Sequence, residues 1–164
     1  MRNLKPLVAA ILLSVSSVCS YSQEAAPVRE PNYNKPQLFS DLPDNIKVNI
    51  NALKHLLTTS VGEAISTDLR EERSASSKTE SPFVFTGQVI STANKNNNSF
   101  QSVVIRSANF DKAGLSFTQF KNEDGSFGYT GHIISFEHGD AFELKLIDGN
   151  YQFVKKKFHQ LVNE

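Results

Sequence analysis

The residues best suited to chemistry lie in the stretch 131–144, GHIISFEHGDAFEL, which gathers two of the chain's four histidines with Glu137, Asp140 and Glu143. Such a set suits a metal site or an acid–base pair. Distance argues against a shared metal. Along a strand His132 and His138 would stand about 20 Å apart, at about 3.3 Å per residue, whereas two ligating nitrogens must each lie about 2 Å from one zinc ion. Glu137, His138 and Asp140 sit closer together, but a tight turn takes Asp, Gly and polar residues for backbone reasons alone. Three groups on one loop rarely complete a coordination shell. His132, with Phe117, Ile134 and Leu144 expected around it, reads as a core or pocket histidine rather than a general base.

Other catalytic templates are missing. The chain has no G-x-S-x-G, H-E-x-x-H or P-loop pattern. Asn122, Asp124 and Ser126 resemble the start of a calcium loop, but Phe127 stands where glycine is needed and Ile133 where an acid must close the loop. The sequence therefore offers no catalytic constellation, no metal site and no cofactor motif.

The elements that must position these residues begin after a leader. Residues 1–22 combine Arg2 and Lys5, an apolar run and small polar residues, as a secretory signal does, with cleavage expected after Ser22 or Ser20. The apolar run is far shorter than the roughly 20 residues a spanning helix needs, so no transmembrane segment is expected in the mature chain. Cleavage removes Cys19, the one cysteine, and with it disulfides and thiolate chemistry. Lipid anchoring through Cys19 is the weaker reading, because Val18 and Ser16 depart from the usual lipoprotein signal. Loss of the leader takes the charge balance from 17 basic against 17 acidic residues to 15 against 17, which leaves no basic field for nucleic acid. The one dense positive spot, Lys155, Lys156 and Lys157, reads as a solvated passage from a strand into a terminal helix.

Residues 23–45, with Pro27, Pro31, Pro36 and Pro43, read as a proline-rich tether, and 46–164 as one domain. Ile50, Leu53, Leu56 and Leu57 recur at helical spacing behind Asn49 or Asn51 as a cap. The stretch 62–69 leans to a strand, and 70–81 is a charged, serine-rich loop. From Pro82 the chain reads as about six strands joined by short turns. The expected class is α+β: an antiparallel meander, curled or forming a partly open barrel, with one N-terminal helix and a short C-terminal one. Asn97 heads a glycosylation sequon, meaningful only in a glycosylating source.

Turn chemistry predicts the register. A two-residue loop at Asp124-Gly125 sets Phe117 opposite His132 and Leu115 opposite Ile134. A three-residue loop at Glu137-His138-Gly139 sets His132 opposite Leu144 and Ile134 opposite Phe142. A two-residue loop at Asp148-Gly149 sets Leu146 opposite Tyr151 and Leu144 opposite Phe153. Together these place Leu115, Phe117, His132, Ile134, Phe136, Phe142, Leu144, Leu146, Tyr151 and Phe153 on one core face. The second face keeps Phe120, Phe127, Tyr129 and Ile133, and is only partly polar.

The resulting expectation is an exported, non-catalytic binding or interaction domain, secreted or periplasmic, whose partner is another exported protein or a cell-surface component. Its candidate ligand-contacting residues are Phe120, Phe127, Tyr129 and His132. One alternative is an inhibitor or pro-domain-like partner of a secreted enzyme, inserting the tether or a hairpin tip. Another is an enzyme using His132 or the turn acids.

Overall fold

The computed structural model describes residues 34–71 and 82–162. The leader with Cys19, the first part of the tether and most of the serine-rich loop lie outside these residues. In chain order the elements are β1 (Asn45–Lys47), α1 (Ile50–Leu56), β2 (Ala64–Asp68), β3 (Val84–Lys95), β4 (Phe100–Ser107), β5 (Ala113–Lys121), β6 (Phe127–Ser135), β7 (Asp140–Ile147), β8 (Asn150–Lys157) and α2 (Phe158–Val162). The strands form one antiparallel sheet in the order β1-β8-β7-β6-β5-β4-β3-β2. The sheet curls so far that its two outer strands meet just beyond their ends. There Val48 bridges Arg70, with Asn49 N donating to Leu69 O at 2.9 Å and Glu71 N to Lys47 O at 3.1 Å.

The meander and both helices agree with the sequence reading, but the sheet has eight strands where about six were expected. The stretch 62–69 does supply β2. The other addition, β1, spans three residues and is too short to show alternation; it forms by pairing Ile46 with Phe153 of the last strand. Helix α1 starts where Asn49 Oδ1 accepts from the backbone N–H of Asn51 and Ala52, the expected cap. It turns Leu53 and Leu56 into the core, so it lines the inner side of the sheet.

The core is largely phenylalanine. Phe39, Phe83, Phe142 and Phe153 are buried, and their rings meet at 5.0 to 6.3 Å in tilted or edge-on pairs. Phe39 belongs to the stretch read as an unpacked tether. From Leu38 onward that stretch is instead pinned to the loop end of the sheet: Leu38 N and Phe39 N donate to the two carboxylate oxygens of Asp140, at 2.6 and 2.8 Å, and Gly139 N donates to Pro36 O.

The expected register holds on one side of β7 and fails on both sides of β6. Leu144 pairs with Phe153 and Leu146 with Tyr151, across a turn in which Asp148 and Gly149 both have positive φ (50° and 77°), the type I′ geometry. In the β5–β6 turn, Asn122 N donates to Ser126 O and Gly125 takes φ 85°, so the loop holds three residues rather than two. Phe117 therefore faces Gly131, and His132 faces Ser116. In the β6–β7 turn four residues separate Ser135 from Asp140, and His132 faces Glu143 rather than Leu144. A slip of one residue turns a whole strand over. On β6 the inward side chains are Tyr129, Ile133 and Ser135, while His132, Ile134 and Phe136 point out.

Candidate functional site

The polar cluster of 131–144 is divided among separate structural tasks. Ser135 closes β6, and His138 folds back over it within the turn, its N–H donating to Ser135 O at 3.2 Å and its Nδ1 lying 2.7 Å from Ser135 Oγ. A serine and a histidine at that distance meet the first geometric test for a nucleophile and its base. Among the described residues the rest of the machinery does not gather around this pair. Ser135 is fully buried, and Asp140, the obvious carboxylate to orient the imidazole, spends both oxygens on Leu38 N and Phe39 N. This arrangement clasps a turn and anchors a segment. Glu137 points outward to an ion pair with Lys112, and its carboxylate, as hydrogen-bond acceptor first and as charge second, raises the Lys112 ammonium above its ordinary pKa. Among the described residues no three His, Cys, Asp or Glu side chains gather as a metal site would require.

The four candidate ligand residues do not share a face. Phe120 lies on the outer surface, its ring laid across Gly128, where an added Cβ would stand 2.5 Å from the ring edge. The glycine supplies the flat floor that the ring covers. Phe127 and Tyr129 have the opposite parity and belong to the inner side, near the turn end. Tyr129 stacks on Phe117 at 5.8 Å and meets Tyr151 edge-on at 5.4 Å. His132 is half-buried on the outer side between Ser116 and Glu143. Glu143 Oε2 has Lys145 Nζ at 3.0 Å, so it is already engaged.

Two features of this region were invisible in the sequence. First, the β6–β7 ladder stops at His132↔Glu143, although β6 continues down to Phe127 and β7 to Ile147. Below that point the strands part, and Leu146 is left 60% exposed beside the Tyr129–Tyr151 contact. Second, the outer face of β3 to β6 carries a groove of about 520 Å³. Its apolar lining comes from Ile90, Val104, Ile134 and Phe136, its floor from Gly114, and Arg106 stands at its rim. Ile90 follows the inward Val89 and so points outward, at the irregularity where Ser91 rather than Ile90 faces Val104. Ile134 and Phe136 reach the outside only because β6 is inverted relative to the expected register. Comparison with family models, with curated proteins and with solved structures returned no match to this chain.

Proposed function

We propose that this chain is an exported, non-catalytic binding domain, secreted or periplasmic after loss of its leader, and that it binds through the outer face of β3 to β6. The observation that carries this reading is the groove. Antiparallel sheets ordinarily leave their outer face polar and solvated, whereas here Ile90, Val104, Ile134 and Phe136 form one concave apolar surface, of a volume typical of ligand sites. Export rests on the composition of residues 1–22.

The test is fluorescence titration of the purified protein with Nile red, a neutral apolar dye. Gly114 is the position to block. A Cβ there meets only Ile105 O, at an ordinary 3.6 Å, so a larger side chain can rise into the groove without disturbing the sheet. Emission enhancement should be lost in Gly114→Leu with the circular dichroism spectrum unchanged. Equal enhancement in both proteins counts against the reading. The mass of the exported protein's N-terminus reports cleavage and the fate of Cys19 in the same preparation.

A second reading, an inhibitor of a secreted enzyme, is favoured by Phe136. This residue is 77% exposed at the tip of the β6–β7 hairpin, its ring touching Phe158 edge-on, and Lys35 braces that tip by donating to Phe136 O at 2.6 Å. A rigid loop that presents one aromatic side chain suits insertion into an enzyme's pocket. Protection of the β6–β7 turn from proteolysis by a co-secreted enzyme that Phe136→Ala fails to bind would support it.

A further inference from the structure

The character of the groove narrows what it can hold, and the inference drawn from it rests on the binding reading above. The main chain of β4 to β6 beneath it is paired on both sides: Val104 with Ser91 and Ser116, Arg106 with Gln88 and Gly114, and Ile134 with Gly114 and Ala141. An extended peptide cannot join as an added strand there, because strand addition needs a free sheet edge. The occupant must bring its own apolar surface and ask for no backbone hydrogen bonds.

Charge specifies the other end of the occupant. Two cations stand at the rim, Arg106 and Lys112. Lys112 is held by Glu137. Arg106 is exposed, has no side-chain hydrogen bond or ion pair among the described residues, and no carboxylate lines the groove beside it. A guanidinium has five donors and no acceptor, in a fork that matches an anionic oxygen pair. One unpaired cation beside an aliphatic trough is complementary to one negative charge on an alkyl chain.

We infer that the groove binds a free long-chain carboxylate, with its alkyl chain over Gly114 between Ile90 and Ile134 and its head on Arg106. The affinity comes mainly from chain burial, and the arginine selects the head group.

The experiment is an NMR titration of the purified protein with decanoate below its micellar concentration, with 1-decanol and decyl phosphate as head-group controls. Decanoate should shift the amides of Val104, Gly114, Ser116 and Ile134. It should bind about fivefold tighter than decanol, and Arg106→Gln should erase that difference while leaving decanol unchanged. Gly114→Leu should abolish both, and Lys112→Ala should change neither by more than about twofold. If decanoate and decanol bind the groove equally in wild type, the head-group assignment falls while the binding reading stands. If decyl phosphate binds more than tenfold tighter than decanoate, the head is a phosphate and the inference is overturned. If no amphiphile shifts the groove amides and Nile red is indifferent to Gly114→Leu, both readings fall.

Discussion

The two ends of the β6–β7 hairpin are built on different principles. Near its tip the strands are laddered from His132↔Glu143 to Ile134↔Ala141, and Asp140 ties them to the 34–44 segment through two charge-assisted bonds in a buried site. Towards the open end, by the β5–β6 turn, β6 and β7 run without a ladder, and Tyr129 of β6 instead reaches Tyr151 of β8 on the inner side. The backbone therefore fixes one half of this seam and aromatic packing the other. The first kind of contact is directional and expensive to break, because orphaned buried donors keep their desolvation cost. The second weakens by degrees.

Substitutions should separate the two halves in order of effect. Phe39→Ala removes a fully buried ring that packs on Phe142 and Phe110, and should cost about 4 kcal/mol in chemical denaturation. Asp140→Ala leaves the N–H groups of Leu38 and Phe39 unpaired and should cost about 3 kcal/mol; Asp140→Asn, which keeps an acceptor, should cost less. An equal loss for Asn and Ala would show that the clamp depends on charge alone. Tyr129→Ala should cost about 2 kcal/mol, since its ring is half-buried and makes two aromatic contacts. It should also speed hydrogen exchange at residues 128–131 and 144–147 while leaving 132–134 and 141–143 protected. Uniform acceleration across the hairpin would mean that the seam opens as one unit.

The smallest effect lies at the β5–β6 turn. The Ser126 hydroxyl, and then its backbone N–H, hold the exposed carboxyl of Asp124 below the usual carboxylate range. A depressed folded-state pKa gives stability that is present above the unfolded value and lost as pH falls through the folded one. Asp124→Ala should therefore lower stability slightly at neutral pH and flatten the acid limb of the stability–pH curve, converging on the wild type once pH falls below the folded-state value. Solvent screening keeps the effect small.

The Asp124-Gly125 turn also shows where sequence reading succeeds and where it stops. Asp148-Gly149 reads correctly as a two-residue turn. Asp124-Gly125 looks the same but closes a loop of three residues, because Asp124 Oδ1 captures Ser126 N and Oγ. The β6–β7 loop is longer than expected by one residue as well. These errors are equal and opposite along the chain, so they slide β6 alone and leave β5, β7 and β8 mutually consistent. Apolar parity could not expose the slip. One side of β6 carries Phe127, Tyr129 and Ile133, the other Ile134 and Phe136, and hydrophobicity hardly distinguishes them. The positions of β3 to β8, the helix cap at Asn49 and the strand-to-helix passage at Lys157 were legible because each depends on local chemistry. The groove was not, since it needs the inverted β6 to bring Ile134 and Phe136 to the face that carries Ile90. Nor was the burial of Phe39, whose partners lie about a hundred residues away.

That separation bears on the order in which the chain can fold. Among the described strands the first in chain order, β1, pairs with the last, β8, and the bonds to Asp140 span 101 and 102 residues. A nascent chain that still lacks β8 has nothing for β1 to pair with, and long-range pairing of this kind is slow even in the complete chain. β1 therefore stays unpaired until β8 has been made. For a chain proposed to leave the cytoplasm, that delay leaves the sheet unclosed while its earlier strands are being made.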